Sequence, residues 1–156
     1  MSEDPVLLRQ TYTHALLLAG RQWRRVADSA VQPHGISDAT ALPLLLIGRM
    51  AGEPRQNALA EAVGIEGPSL VRLLDQLCAA GLVLRKEDPT DRRAKVLSLT
   101  PAGRRVVATM EADLARLRAA VFAGVSEADL EASLRVFRAV QRYARETGLS
   151  RGEGAE

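Results

Sequence analysis

The segment KEDPTDRRAK, residues 86–95, places charges of both signs between two apolar runs. From residue 85 to residue 105 there are seven basic side chains and three acidic ones, whereas the whole chain has a net charge of only +2. Basic side chains collected at one place suit contact with a polyanion such as nucleic acid. Solvation alone also favours a charged hairpin tip, so the neighbouring elements have to decide between the two interpretations.

A second candidate contact surface lies on the helix predicted over 68–80. Leucines occupy one side of this helix, and the opposite side carries short or hydrogen-bonding side chains: Pro68, Ser69, Arg72, Asp75, Gln76 and Ala79. Short side chains let a helix enter a groove. Ser69 and the free N–H groups of the first turn can bind phosphate, and Arg72 can bind guanine through two hydrogen bonds. Taken by itself, this face is better explained as a solvated surface with an exposed arginine.

The order of the elements around these residues changes that balance. A short helix in RQNALAEAVGI, with Gly64 as its C-cap, is followed by a tight turn and by the helix that Gly81 ends. A β-hairpin is predicted next, with strands over 82–86 and 96–99 and a tip over 87–95 in which DPTD forms a type I turn. Two helices joined by a tight turn and followed by a charged hairpin form a winged helix-turn-helix.

The basic residues of the hairpin tip fit a contact in the minor groove of DNA. A narrow minor groove focuses negative potential and attracts an inserted arginine, here Arg92 or Arg93. Asp91 can pair with one of these arginines and fix its direction. The remaining cations of the hairpin, Lys86 and Lys95 among them, would then face phosphates.

Long helices are predicted on both sides of this unit. The first covers about 5–31 with one apolar stripe, and a second starts near Ser37, where Pro43 should bend it or delay its start. Thr100 caps a long helix whose apolar residues recur at steps of three and four, which favours packing along a helix of a partner chain over packing within the chain. These residues are Val107, Met110, Leu114, Leu117 and Val121. A capping box at Ser126 starts the last helix, so the predicted fold class is mainly α with a small β-hairpin.

Composition and motifs weigh against several other classes of protein. Apolar residues make up 47% of the chain and aromatic residues only 3%, so the core has to be aliphatic. The single cysteine excludes an internal disulfide, the start of the chain is unlike a signal peptide, and no apolar run is long enough to cross a membrane. We find no nucleotide-binding loop, catalytic motif or metal-spaced cluster. We therefore expect a cytoplasmic protein that is not an enzyme and uses no cofactor or metal.

The stretch GIEGPSLVRLLDQLCAAGLVLRKEDPTDRRAKVLSLTPAG resembles the MarR family of transcriptional regulators, and PSLVRLLDQL together with DRRAK resembles its SlyA branch. The resemblance implies a winged helix-turn-helix in an intertwined helical homodimer. One protomer would cover 1–156, with a DNA-binding lobe over 36–100 and a helical dimerisation region over 5–32 and 101–147.

The resemblance also implies how double-stranded DNA would be bound. Two lobes would contact a pseudo-palindromic operator, with Arg72 in the major groove and Arg93, braced by Asp91, in the minor groove. The DNA-binding residues expected from the pattern and the resemblance together are Pro68, Ser69, Arg72, Gln76, Arg92, Arg93 and Lys95.

Many members of that family are repressors released by small aromatic acids, which implies a ligand-responsive repressor here. The second helix often carries an aromatic residue that shapes the ligand pocket, and this chain has Ala41 and Leu42 in that region. The identity of a ligand therefore does not carry over. Tyr12, His14 and Trp23 on the first helix are the candidates for ligand binding, although dimer packing is the better explanation for Trp23 and solvent exposure for His14.

Two alternative functions stay open at this point. One is a redox-responsive regulator that uses Cys78, for which packing is the better explanation because the chain has no second cysteine to resolve an oxidised thiol. The other is a winged-helix module that binds proteins rather than DNA. The arginine on the predicted recognition helix and the braced hairpin weigh against that second alternative.

Overall fold

The computed structural model describes residues 4–149, in which six α-helices surround one two-stranded antiparallel sheet. The helices are α1 (Pro5–Val31), α2 (Asp38–Arg49), α3 (Gln56–Val63), α4 (Gly67–Ala79), α5 (Pro101–Val121) and α6 (Glu127–Glu146), and the strands are β1 (Val83–Asp88) and β2 (Asp91–Leu99). A single 3-10 turn, Gln32–His34, joins α1 to α2. The predicted fold class, mainly α with a hairpin in a winged helix-turn-helix, is confirmed. Residues 1–3 and 150–156 of the predicted protomer lie outside the described residues.

Local sequence signals set most of the helix boundaries. Ser37 caps α2, since its hydroxyl accepts a hydrogen bond from the Thr40 N–H at 3.3 Å. Gly64 ends α3 in the left-handed region, with φ of 78°, where a residue with a side chain would be strained. Pro43 was expected either to bend α2 or to delay its start, and the delayed start does not occur. The capped first turn begins at Asp38, and the helix continues through the buried proline.

The hairpin is longer than predicted, and its tip is shorter. The strands extend to Asp88 and start again at Asp91, so Pro89 and Thr90 alone form the turn, and the predicted tip over 87–95 is wrong. The Asp88 carboxylate closes this turn by accepting from the Thr90 N–H and from its hydroxyl, each at 2.8 Å. The charged residues that follow the turn therefore lie on a strand, which fixes the side of the hairpin to which each belongs.

The core is aliphatic, as predicted, and joins α2, α3, α4, β2 and α5. Its fully buried members include Leu44, Leu59, Leu70, Leu74, Leu97 and Met110. Val107, Met110 and Leu114 of α5 belong to this core, because α1 and α2 pack against that side of α5. The prediction that these residues pack along a partner chain is therefore wrong for them, whereas Val121 at the end of the same series is 47% exposed.

Thr100 joins the end of α4, the start of β1 and the start of α5. Its N–H donates to the Leu82 carbonyl at 3.0 Å, and its hydroxyl donates to the Gly81 carbonyl at 2.7 Å while accepting from the Gly103 N–H at 2.9 Å. Gly103 is buried so closely against Leu82 that an added Cβ would overlap the Leu82 carbonyl oxygen. The hairpin and α5 are therefore held at one relative position.

We expect Gly103→Ala to lower the free energy of unfolding by about 3 kcal/mol, because a methyl group in this position must push the backbone of Leu82 away from α5. Gly20→Ala is the matched control. A Cβ at Gly20 meets nothing within 4 Å, so this change should raise stability by about 0.5–1 kcal/mol. Urea unfolding at equal protein concentration measures both, and equal stabilities would contradict the role given to the junction.

Candidate nucleic-acid interface

Helix α4 presents one apolar side to the core and one polar side to solvent. Leu70, Leu74 and Leu77 are buried, whereas the exposed side carries the residues predicted to contact DNA, Pro68, Ser69, Arg72 and Gln76. Arg72 makes no ion pair within residues 4–149, so its donors are available to a base edge or a phosphate. Asp75 lies on the same side and pairs with Arg85 of β1 at 2.7 Å, which neutralises the acidic charge near Arg72.

Alternation along β2 separates the basic residues of the hairpin. Arg93 and Lys95 are two residues apart and share one side of the strand with Asp91, and all three line a cleft against the start of α3. Arg92 is exposed and is not among the residues that line this cleft. The two arginines predicted at one tip therefore have different surroundings.

Asp91 contacts the backbone of Arg93 rather than its side chain. Its Oδ1 accepts a hydrogen bond from the Arg93 N–H at 3.0 Å. Among residues 4–149 it forms no ion pair with the guanidinium of Arg92 or Arg93. Asp91 thus fixes the chain from which the Arg93 side chain extends, and it leaves the guanidinium free to donate elsewhere.

The two lysines of the hairpin are already paired with carboxylates. Lys86 lies 2.8 Å from Glu53, and Lys95 lies 3.7 Å from its cross-strand partner Glu87. Both lysines therefore lie against neighbouring carboxylates, and their expected contacts with phosphates stay a prediction. Exposed pairs of this kind contribute little to stability, so their exchange for a phosphate costs little.

An anchor that the sequence did not reveal holds the turn of the hairpin to α3. Arg55, immediately before α3, donates from Nε to Asp88 Oδ2 at 2.7 Å, and Asp88 is 7% exposed. Hydrogen bonds from the Thr90 N–H and hydroxyl, and then from Arg55, lower the pKa of the Asp88 carboxyl. The Asp-Pro-Thr pattern could have indicated the turn, but nothing in it points to an arginine 33 residues earlier.

A cavity of about 500 Å³ lies between the first, second and fifth helices and reaches the inner side of α4 at Leu73. Trp23 lines it and stacks on Phe122 with a centroid distance of 6.2 Å. Of the other two ligand candidates, Tyr12 and His14 are exposed on α1 and are not among the residues lining this cavity. The structure therefore brings only Trp23 of the three candidates to this cavity.

Two long-range side-chain contacts connect α5 to the end of α2 and to the turn that precedes α2. Arg49 at the end of α2 binds Glu111 through two hydrogen bonds, of 2.5 and 3.0 Å, and Arg118 lies 3.6 Å from the same carboxylate. These contacts, led by the hydrogen bond from Arg49, lower the pKa of Glu111 and raise that of Arg49. His34 Nε2 lies 2.7 Å from Asp113 Oδ2, which adds a second contact two residues further along α5. Nothing in the sequence pattern indicates either contact.

Comparison with known proteins agrees with this architecture. The MarR family profile matches residues 34–94. The crystal structure of transcriptional regulator PA3341 is 36% identical to this chain, covers 86% of it and 98% of its own chain, and superposes with a TM-score of 0.79. CouR from Rhodococcus jostii RHA1, bound to p-coumaroyl-CoA, is 24% identical over 89% and 95% of the two chains with a TM-score of 0.77. Staphylococcus aureus MarR in complex with salicylate and kanamycin is 20% identical over 90% and 94% with a TM-score of 0.76.

The helix-turn-helix and its hairpin define a transcriptional regulator with a DNA-binding winged helix. The chain belongs to the MarR family, as the matching profile and the 36% identity to PA3341 over most of both chains show. Within the described residues, no helix has the length and apolar character that crossing a membrane requires.

The Arg49–Glu111 pair predicts a pH dependence of stability. Because the pKa of Glu111 is lowered from its ordinary 4.5, the pair contributes fully above that value and loses its contribution as pH falls through the lower folded pKa. Glu111→Gln should therefore lower the free energy of unfolding at neutral pH, and its difference from wild type should shrink below about pH 4.5.

Urea unfolding between pH 7 and about pH 3.5 measures this difference. Glu61→Gln, which removes the same charge from an exposed position on α3, is the control. A difference between wild type and Glu111→Gln that stays constant down to the lowest pH would show that the pair does not stabilise the fold.

Proposed function

We propose that this chain is a cytoplasmic, homodimeric repressor of the SlyA-like branch that binds a pseudo-palindromic operator and is released by a small aromatic carboxylate. Its DNA-binding lobe would cover 36–100, and its dimerisation region 5–32 and 101–147. The observation that carries the DNA-binding part is the set of arginines that form no ion pair within residues 4–149, Arg72 on α4 and Arg92 and Arg93 on β2, in a lobe whose other cations are paired with carboxylates.

In this proposal α4 enters the major groove and the hairpin contacts the adjacent minor groove. Pro68 and Ser69 are short enough to let the start of α4 approach the DNA, and Arg72 and Gln76 contact base edges. Arg93 enters the minor groove, and Arg92 and Lys95 contact phosphates. A symmetric dimer would place its two copies of α4 in successive major grooves, about 34–36 Å apart.

The exposed apolar side chains of α1 and α6 support a dimer. Helix α6 has no buried residue, although Leu134, Phe137 and Val140 recur along it at steps of three. Helix α1 exposes Leu7, Leu8 and Leu17, which are each more than half exposed. Apolar surface of this extent usually marks an interaction site, and a second copy of the same helices would cover it.

The cavity beside Trp23 supports release by an aromatic acid. Arg49 and Arg118 both line it and share a single carboxylate, that of Glu111. The two arginines therefore keep a net positive charge that can bind the carboxylate of a ligand. Salicylate in the Staphylococcus aureus protein and p-coumaroyl-CoA in CouR each contain an aromatic ring and a negative charge. The aromatic ring of such a ligand, placed against Trp23 and Leu73, would move α4 relative to α1. A coupling of about 1–3 kcal/mol between the two sites would weaken DNA binding by roughly 5- to 150-fold.

Neither alternative function gains an observation in its favour. Cys78 is half-buried against the core and is the only cysteine in the chain, so packing explains it. A module that binds proteins through its wing has no need of an unpaired arginine on the exposed side of α4.

The dimer is tested by a charge placed on the exposed side of α6. Val140 is 53% exposed in the single chain, so Val140→Asp should be harmless if the protein is monomeric. We expect it instead to convert the dimer to monomer or to prevent folding, because the aspartate would be buried in the dimer interface. Leu84→Asp changes a residue of similar exposure on β1 and should leave the sedimentation coefficient unchanged. A wild-type chain that sediments as a folded monomer at micromolar concentration would exclude the dimer.

The DNA contacts are tested by fluorescence anisotropy with a duplex selected by the protein from a random pool. Arg72→Ala should reduce the preference for that duplex over random DNA by about 5- to 150-fold, the range of about 1–3 kcal/mol for one bidentate base contact. Arg93→Ala should also weaken binding. Arg104→Ala is the control, because its guanidinium donates to the Leu99 carbonyl at 3.0 Å, and it should have little effect. An unaltered preference in Arg72→Ala would remove this residue from base recognition.

A further inference from the structure

A cleft of about 350 Å³ lies between the start of α3 and the strand β2. Its walls are fixed to each other by the backbone. Arg55 forms a β-bridge with Val96, and the Leu97 N–H donates to the Pro54 carbonyl at 2.9 Å. The spacing between the start of the helix and the hairpin is therefore set by main-chain bonds and not by mobile side chains.

The lining of this cleft has an excess of positive charge. Arg55, Arg93 and Lys95 contribute three cations, and Asp91 contributes one carboxylate, which is already bonded to the backbone of Arg93. The pairing of Lys95 with Glu87 is long, at 3.7 Å, and exposed. Lys95 can therefore turn towards an anion in the cleft at small cost.

Arg55 is held along one edge of its guanidinium and open along the other. Nε and Nη2 each lie 2.7 Å from Asp88 Oδ2, and Nη2 is also 3.5 Å from the Thr90 hydroxyl. The remaining group, Nη1, carries two N–H donors that have no partner within residues 4–149. An arginine fixed by one carboxylate loses little further freedom when it binds a second anion, so it is preorganised for one.

Gln56 adds a polar group without a partner beside these cations. Its Oε1 is buried and has no hydrogen-bond partner in the described part of the chain. The NH₂ at the other end of this amide carries two donors and can bind an anionic oxygen in the cleft that Gln56 lines.

We propose that this cleft is a binding site for one phosphate of the DNA backbone, held by Arg55 Nη1, Lys95 and the Gln56 amide. The proposal rests on DNA binding by the chain and adds a site at the base of the wing. The phosphate lies beside the minor groove that Arg93 enters. Because Arg55 also binds Asp88, the residue that receives the phosphate is the same one that anchors the turn of the hairpin. The site positions the lobe on DNA and contributes no sequence preference.

The test compares three variants in salt-dependent DNA binding. Gln56→Glu puts an anion into the cleft, Lys95→Gln removes an exposed cation from it, and Gln22→Glu makes the first change at an exposed position on α1. We expect Gln56→Glu and Lys95→Gln to weaken binding by about tenfold or more, equally for the selected duplex and for random DNA. Lys95→Gln should also lower the slope of log K against log salt by about one per protomer. Gln22→Glu should bind as the wild type does.

Duplexes that carry a single neutral methylphosphonate keep the test independent of any effect on folding. One position in each half-site should weaken binding of the wild type, and the same replacement should have little further effect on Lys95→Gln. If Gln56→Glu binds as Gln22→Glu does and no methylphosphonate position depends on Lys95, the cleft is not a phosphate site, although DNA binding stands. If the wild type binds no duplex at low salt, the proposed function and this site are both wrong.

Discussion

The hydrogen bonds of Thr100 are the constraint on which the arrangement of the lobe depends. The Thr100 hydroxyl binds Gly81, just after α4, and Gly103, in the first turn of α5. The Thr100 N–H binds the residue immediately before β1. The space at Gly103 lets these backbones touch. The recognition helix, the hairpin and the long helix therefore form one body, and the buried leucines beneath them keep the polar side of α4 turned outwards.

The distribution of ion pairs gives this body two different sides. Towards the proposed DNA, carboxylates pair with the lysines of the hairpin, whereas Arg72, Arg92 and Arg93 have no such partner among residues 4–149. Away from the DNA, the contacts Arg49–Glu111 and His34–Asp113 tie the end of α2 and the turn before α2 to α5. The cavity beside Trp23 lies between these two sides, which is where an occupant could change their relative position.

Whether the sequence predicts a structural feature depends on how far apart along the chain the residues that determine it lie. Caps and glycines a few residues apart predicted the helix ends correctly, and the leucine pattern of α4 predicted its buried side. Apolar residues at steps of three and four along α5 predict packing against another helix. They do not show whether that helix belongs to the same chain or to a partner chain, which is why the predicted partner contact is wrong for most of them. The pairs Arg55–Asp88, Arg49–Glu111 and His34–Asp113 join residues 33, 62 and 79 positions apart, and a single sequence contains no signal for such partners.

The central claim is that two copies of one rigid lobe bind DNA symmetrically. Hydroxyl-radical footprinting of a duplex selected by the protein measures this most directly, because it reports backbone protection nucleotide by nucleotide. The account predicts two equivalent sets of protected positions related by a dyad, with their centres about 34–36 Å apart and with minor-groove protection next to each. Protection of a single unsymmetrical segment, or protection confined to the major-groove side, would contradict it.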